Sequence, residues 1–591
     1  MTHHEYLIVG AGPAGLQLGY HLGNAGRDYL ILEANDRAGS FFVEQPRHRL
    51  LISINKRFNY FPDADYNMRH DWNSLLTDDD SHLFRNYSEE LYPKADDIVR
   101  YLGDFAAKYD IRIKYNSRVQ NIAKAEGNHT NLKVTDINGE EYTCRHLIMA
   151  TGPCRPRIPE HIDGIELAEG YEDHDIDPKR FENKQVAIIG GGNSAFEVAN
   201  HLAGHAALIH LLIGNRLIRH AWQTHFVGDL RAINNTVLDM YQLKSLHAAL
   251  AQDVRKIEKL DDGRFAVYVD AEAPHWSTPG TVSKMKIFDH VIRCTGWRYI
   301  DPELFEPDVL PEACPKGKYP VLNDRWESTV PNLYFIGTSM AARDKKSASG
   351  FIHGFRYNVR TLFHMMERRF HGVDLPADEF QLETTEDLEA LTEHIIKRVS
   401  TTSALYQLYG FLGDVLILSP GKAKLVYEQP MARIEADKEG EFGSERIAIT
   451  LEFGFHRYPE GSNTMDFIHP APGPDCAAFL HPVFRHFSDG QLVNNANLDE
   501  SIFVRHDPES YDPAEGSTRP AVSKHLVMKF IGDATGIDAG DEPQAPLYDA
   551  NGVRRFTPWE PDDPRTINHG VPVCESEITN LAPKAKADVN Q

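Results

Sequence analysis

The sequence predicts an α/β fold that ends in a mixed α+β region. Three observations carry the prediction. Two stretches, 5–33 and 185–213, each read as strand, glycine loop, helix, strand. Three further apolar strands end on a glycine, at Gly152, Gly296 and Gly337. Beyond about residue 375 that rhythm stops, and helical and strand-like runs are broken by stretches rich in Pro, Gly and Asp. Of 591 residues, 41% are hydrophobic and 25% charged. That is ordinary for packed globular domains, and the length suits two to four of them.

In the first unit, residues 5–9 read as a short buried strand, followed at once by Gly10-Ala-Gly12-Pro13-Ala14-Gly15. Residues 16–24 read as a helix, and 29–32 as a second strand that ends at Glu33. This spacing has a mechanical meaning in dinucleotide binding. Gly10 permits the tight turn, Gly12 lets backbone N–H groups approach a pyrophosphate, and Gly15 lets helix and strand pack closely. The helix N-terminus favours the anion. Glu33 is placed to accept hydrogen bonds from an adenosine ribose.

In the second unit, 185–189 is the strand, Gly190-Gly-Gly192-Asn193-Ser194-Ala195 the loop, 196–203 the helix and 208–213 the next strand. Alanine replaces the third glycine, which the fingerprint allows. No Asp or Glu occurs between Val198 and Gly228, while Arg216 and Arg219 follow the second strand. An acid there selects NAD by bonding the ribose 2′-hydroxyl. Arginine does the reverse, because its planar fork matches a 2′-phosphate, so the second unit is expected to take NADPH. Two fingerprints imply two nucleotides, one held and one visiting, on two Rossmann-like dinucleotide-binding domains.

The remaining elements follow in order. A helix is expected over 96–109, strands over 112–114 and 118–122, and a hairpin near Gly127, Asn138 and Gly139. A long helix is expected over 350–369. Residues 380–418 read as helical, with Leu388, Leu391, Ile395 and Ile396 near helical spacing. Strand-like runs follow at 424–427 and 446–453, and loops at 459–475 and 507–520.

Several classes are excluded. Lys plus Arg number 62 and Asp plus Glu 86, for a formal charge of −24, which argues against nucleic acid as a partner. The six cysteines include no C-x-x-C, so neither a dithiol motif nor a zinc ribbon is indicated. His469, Cys476, His481 and His486 match no common zinc spacing, so no metal is expected. No apolar run is long enough to cross a bilayer. The first motif begins at residue 10, which makes the cytoplasm the expected compartment.

With both nucleotide motifs placed, the chain resembles the flavin-containing monooxygenases (class B) over about residues 5–370. The resemblance rests on Gly10 to Gly15, Glu33, Gly39-Ser-Phe41-Phe42, Ile54-Asn55-Lys56, Ala150-Thr-Gly152, Gly190 to Ser194, Cys294-Thr-Gly296 and Phe335-Ile-Gly337. It is more closely similar to the FAD-dependent oxidoreductase domain-containing family, through Pro46-Arg-His-Arg49, Ile52-Ser-Ile-Asn-Lys-Arg57, Arg69-His-Asp-Trp-Asn-Ser-Leu75, Val227 to Asn235 and Gly350-Phe-Ile-His-Gly-Phe-Arg356. One departure is the stretch Gly170-Tyr-Glu-Asp-His174, where the monooxygenase fingerprint carries other residues.

The resemblance implies an FAD domain (1–165 and 326–375), an inserted NADPH domain (166–325) and a C-terminal region (376–591) of unassigned role. It implies FAD and NADPH as cofactors. The implied activity inserts one oxygen atom at a nitrogen, a sulfur or, in Baeyer–Villiger fashion, beside a carbonyl carbon, through a flavin peroxide. A small-molecule substrate and oxygen are the implied partners. Asn55 falls beside the reactive flavin carbon, and Lys56 with Arg57 could orient an anionic substrate or stabilise flavin charge. Phe41 and Phe42 border the flavin, while Val119, Gly152 and Gly337 belong to its binding site. His353 and Arg356 fall near its pyrimidine edge, and the 69–73 loop could line a substrate pocket. Two alternatives stay open: an NADPH-dependent reductase that hands electrons to a partner or quinone, and an FAD-binding scaffold for protein interaction. Oligomeric state is open.

Overall fold

The computed structural model describes residues 2–541 except 60, 126–131, 215–217, 219–229, 242, 273–280, 439, 455–478, 500, 502–503 and 508–518. Its first layer is a sheet in the order Ile113–Lys114, Tyr29–Leu32, Thr2–Val9, Glu141–Met149, Leu132–Asp136, Val119–Lys124, and Leu333–Phe335 also pairs with Glu141–Met149. Thr2–Val9 lies between parallel neighbours. A parallel strand is covered on both faces, which is why Tyr6, Leu7 and Ile8 form an unbroken apolar run with no exposure. Helices Pro13–Asn24 and Ile352–Met366 pack together over this layer. The long C-terminal helix of the pair ends in a wider turn, Glu367–His371, and is closed by Gly372 at φ +69°.

The second sheet runs Ala248–Leu250, Leu208–Leu212, Gln185–Ile189, His290–Arg293, Glu169–Gly170, all parallel. Strand alternation sorts its core into two. Val186 and Ile188 meet helix Asn193–Leu202 on one face. Ala187 and Ile189 meet an antiparallel meander, Asp253–Lys259, Phe265–Glu272 and Thr281–Phe288, on the other. The two chain crossings between layers lie side by side, with Trp297–Arg298 paired to Arg155–Pro156. Ile300, Phe305, Val309, Tyr319 and Leu322 then join the core of the first sheet, and Phe305 bridges to Ile122. The chain therefore returns to the first layer near residue 298, earlier than the expected boundary at 326, because these apolar side chains cover that sheet's edge.

The C-terminal region holds a wholly antiparallel sheet in the order Ala377–Gln381, Lys422–Pro430, Leu412–Ser419, Glu445–Glu452, His481–Ser488, Gln491–Asn497. The helical expectation for 380–418 is corrected in part. Thr384 and Asp387 form a reciprocal capping box for helix Thr385–Thr401, whose Leu388, Leu391, Ile395 and Ile396 are buried. Leu412–Ser419 is instead the strand flanked by Lys422–Pro430 and Glu445–Glu452. Its neighbours Val415 and Leu416 belong to cores on opposite faces, so a two-sided strand imitates an apolar helix segment in sequence. The strand-like run at 424–427 lies within Lys422–Pro430, and that at 446–453 overlaps Glu445–Glu452. The expected loop at 459–475 and most of that at 507–520 lie outside the described residues. Among the described residues no helix is long and apolar enough to cross a membrane.

This region is locked to the first layer by one buried and two half-buried arginines. Arg69, 1% exposed, donates to the carbonyls of Thr402 (2.9 Å), Val504 (3.1 Å) and Val399 (3.0 Å). Arg360 on the helix Ile352–Met366 and Arg398 on the C-terminal helix both donate to Glu428.

Candidate active site at the domain junction

The first glycine loop is held by close backbone approaches. Gly10 sits at φ +108°, and a Cβ there would lie 2.7 Å from the Ala150 carbonyl oxygen. A Cβ on Gly15 would lie 2.0 Å from the Gly10 carbonyl oxygen. Around Gly12, by contrast, nothing approaches within 4 Å, so the start of helix Pro13–Asn24 opens outward. Pro13 at the first helical position sacrifices an N–H that has no helical partner anyway. Ala14 is buried behind it, and a Cβ on Gly337 (φ +77°) would meet the Ala14 Cβ at 2.9 Å.

Glu33 is 4% exposed. Its carboxylate accepts from the Ala11 N–H (2.8 Å), the Asn35 N–H (3.0 Å) and the Ser40 hydroxyl (2.9 Å). A carboxylate offers about four acceptor sites. Glu33 therefore first shapes the loop and retains room for a ribose hydroxyl. Val119 is buried at the start of its strand in the same sheet. Phe41 is exposed, and Phe42 meets it edge-on at 5.3 Å. Gly152 (φ +58°) lies beside the Thr338 hydroxyl, a buried oxygen without a hydrogen-bond partner. An open helix start, a glycine cradle and an unsatisfied buried hydroxyl fit a dinucleotide with a flat ring.

Asn55 is 7% exposed. Its Nδ2 donates to the Ser88 carbonyl at 2.8 Å, its backbone N–H donates to Leu91, and it bridges to Asp71. Next to Asp71, Trp72 lies 4.2 Å from the His353 ring, and Phe351 stacks on His353 at 5.5 Å. Burial holds the His353 imidazole well below its ordinary range, so it is neutral. Lys56 differs from expectation. It is exposed, and its ammonium donates to the Phe58 carbonyl two residues on. Arg356, fully buried, spends its fork on the Ser74 and Met68 carbonyls. Arg69 likewise spends its guanidinium on carbonyls of the C-terminal region.

In the second loop, Gly190 sits at φ +143°, and a Cβ there would lie 2.3 Å from the Cys294 carbonyl oxygen. Gly192 again has nothing within 4 Å. Ala195 is buried, while Asn193 and Ser194 are half-buried at the helix start. The Asn193 Oδ1 accepts from the Arg231 N–H (3.0 Å) and from Asn234 (3.1 Å). Arg216 and Arg219 lie outside the described residues. The stretch Gly170 to His174, which departs from the monooxygenase fingerprint, takes part in the junction between layers. Arg47 donates to the His174 carbonyl (2.7 Å), the His48 N–H to Glu197 (3.1 Å) and the Tyr171 hydroxyl to Glu197 (2.8 Å). Burial raises Glu197 and pushes His48 down to about 3.

The family model described as pyridine nucleotide-disulphide oxidoreductase matches residues 7–337, the span that builds both glycine loops. The chain belongs to this family. FAD-dependent oxidoreductase domain-containing protein 2 of Mus musculus is 36% identical over 90% of this chain and 82% of that protein. The Danio rerio protein of the same name is 38% identical over 94% of this chain and 82% of its own length. A bacillithiol disulfide reductase from Staphylococcus aureus covers 63% of this chain and 100% of its own at 18% identity, with a TM-score of 0.46. The protein is thus a flavin-dependent oxidoreductase, and the family implies FAD and a nicotinamide dinucleotide as its cofactors.

Within this family the thiols are informative. Among the described residues, Cys144, Cys154, Cys294 and Cys314 are not joined in disulfides. Desolvation pushes Cys154 up to about 12 and Cys144 and Cys294 further, so none of these three forms a thiolate near neutrality. Sequence reasoning missed the junction residues Tyr171 and Glu197, the Thr338 hydroxyl and Arg231. Tyr171 and Arg231 fall within stretches compared with the families, 170–174 and 227–235, but only the folded contacts show what any of the four touches.

Proposed function

We propose that the protein is an NADPH-dependent FAD monooxygenase that inserts one oxygen atom into a small molecule at nitrogen, sulfur or a carbonyl-bearing carbon. The observation that carries this reading is Asn55: an amide more than nine-tenths buried, oriented by the Ser88 carbonyl and set in the wall that Trp72 and His353 share. FAD, when bound, supplies the electron storage and oxygen chemistry. The chain binds, orients and excludes water around it. The Gly10–Gly15 loop and the helix start would hold the pyrophosphate of FAD, with Glu33 at the ribose. The Gly190–Ser194 loop would hold NADPH. An amide nitrogen carries two N–H groups. Asn55 gives one to Ser88, and the other is available to a developing anion in a site where burial strengthens such a bond. The buried thiols support an oxygenase over a dithiol reductase.

The test uses the purified holoprotein with NADPH and isotopically labelled oxygen against a panel of amines, thioethers and ketones. Transfer of one labelled atom into product per NADPH consumed is expected. In Asn55→Ala, FAD content and anaerobic reduction by NADPH should persist while oxygen transfer falls about ten-fold or more and hydrogen peroxide takes up the electrons. Fast NADPH oxidation with a quinone and no labelled product from any panel member would overturn the reading in favour of a reductase.

A further inference from the structure

Arg356 and Tyr357 on helix Ile352–Met366, and Ser403 at the start of the short C-terminal helix Ser403–Gln407, are all fully buried. They form a hydrogen-bond chain with one direction. The Arg356 Nη2 donates to the Tyr357 hydroxyl at 3.2 Å. At the other end the Ser403 hydroxyl donates to the half-buried Asp65 carboxylate. A hydroxyl has one proton to give, so at the 2.5 Å contact between them Tyr357 donates and Ser403 accepts. Burial holds the Tyr357 phenol above its ordinary range, so it keeps the proton this needs. Arg398 of the C-terminal region stands 3.7 Å from Asp65 and also donates to the buried Asp414 (2.8 Å) and Glu428 (3.1 Å).

The near end of the chain is the wall that carries Asn55. Arg356 donates to the Ser74 and Met68 carbonyls, both at 2.8 Å, and so grips the 68–74 loop at two points. Within that loop the Asp71 carboxylate accepts the Asn73 N–H, the Ser74 N–H and the Ser74 hydroxyl. The Asn73 amide, buried, then donates to the Ile54 carbonyl at 3.1 Å, and Asp71 bridges to Asn55 itself. Gln407, at the other end of the Ser403 helix, donates to the Arg69 carbonyl at 2.5 Å. Such a chain in a dry interior has little slack, because each bond lost strands a buried polar group. The backbone that sets the Asn55 amide is thus held from the C-terminal region.

We propose that Ser403 is a positioning residue for Asn55, acting through Tyr357 and Arg356 on the 68–74 loop, and that the C-terminal region thereby belongs to the active-site assembly. The inference rests on the monooxygenase reading for its effect on oxygen transfer. Its effect on segments 54–57 and 68–74 is independent of any chemistry.

The test uses the full-length holoprotein and two readouts. In Ser403→Ala and in Tyr357→Phe, amide hydrogen exchange of the oxidised protein should speed up about five-fold at segments 54–57 and 68–74, the worth of one hydrogen bond, and stay unchanged at 185–195. With NADPH, labelled oxygen and a substrate that the parent oxygenates, both variants should keep the parent's rate of anaerobic flavin reduction and release about five-fold more hydrogen peroxide per NADPH. Leu388→Ala is the control for stability alone: Leu388 is buried in the same region, beside Gly532 and away from the chain. It should lower the melting temperature and move neither readout. Unchanged exchange at both segments in Ser403→Ala and Tyr357→Phe would overturn the proposal. Faster exchange with unchanged peroxide release would also overturn it, because the loop would then move without moving Asn55. So would a Leu388→Ala protein that matches the two variants. If the parent transfers no labelled oxygen to any substrate, the monooxygenase reading fails, and the exchange readout alone decides whether Ser403 positions the Asn55 segment.

Discussion

The two glycine loops share a backbone plan and differ in how they are closed. In the first, Gly15 has no room for a methyl group, since a Cβ would lie 2.0 Å from the Gly10 carbonyl oxygen. The second tolerates a buried Ala195 at the same place. In the first, the Glu33 carboxylate gathers three donors into a rigid collar. The second has no acid at that point and closes instead with the neutral Asn193 side chain on the 231–234 turn. The first core is continuous with the C-terminal sheet, while the second is split into two smaller cores. A tight collar on a large core suits a nucleotide that stays. A looser loop on a smaller domain suits one that comes and goes.

The strongest way to break that contrast is a pair of substitutions. Gly15→Ala should cost about 4 kcal/mol or more through the backbone collision and yield protein without FAD, read from the flavin-to-protein absorbance ratio. Gly190→Ala places its Cβ 2.3 Å from the Cys294 carbonyl oxygen. It should leave the protein yellow but slow its anaerobic reduction by NADPH more than about a hundred-fold, the equivalent of a barrier near 3 kcal/mol. If Gly190→Ala also released FAD, the two loops would not be separable, and the contrast between held and visiting nucleotide would fall.

A smaller effect sharpens the role of the collar. Glu33→Gln keeps the shape but turns an amide NH₂ toward donors, leaving at least one N–H of the loop unsatisfied. This should cost about 1–3 kcal/mol, seen as a lower temperature of flavin release. Asn193→Ala in the second loop should leave that temperature alone. A Glu33→Gln protein that holds FAD as tightly as the parent would show that the collar is not what retains the cofactor.

The smallest effect concerns the joint between the units. Burial depresses His48 from 6.5 to about 3 in the folded protein. Its contribution to stability is therefore present above the unfolded value of 6.5 and is lost as pH falls from there toward 3. His48→Gln should flatten the fall of melting temperature over that window. It should not abolish it, because His21 and His146 in the first unit are depressed to about 3 in the same way. Superimposable melting curves of parent and variant across the window would show that the junction histidine does not carry the acid sensitivity.

Much of the first two units was legible because their signals are local. A strand that must feed a glycine turn announces itself within a dozen residues, as Tyr6 to Gly15 and Val186 to Ala195 do. Residues 412–419 misled because a strand buried on both faces loses the alternation that identifies strands, leaving an apolar run that a helix could also produce. The meander from Asp253 to Phe288 has no motif, and its strands are defined only by what they cover. Among the expected site residues, Asn55 lands in a buried wall while Lys56, one position on, points to solvent. Adjacent residues in an irregular segment can face opposite ways, and no periodicity says which.

The sequence by itself determined that two dinucleotide units exist, where each turns, and which acid closes the first, because glycine conformation and backbone approach are dictated by neighbours in the chain. Only the tertiary structure decided what meets between the units. Arg69 finds carbonyls at Val399, Thr402 and Val504, His48 meets Glu197, and Arg231 lies over Trp72 and Phe351. Those partners are far apart in the chain. Their pairing is set by desolvation and close packing, which operate only once the layers have come together.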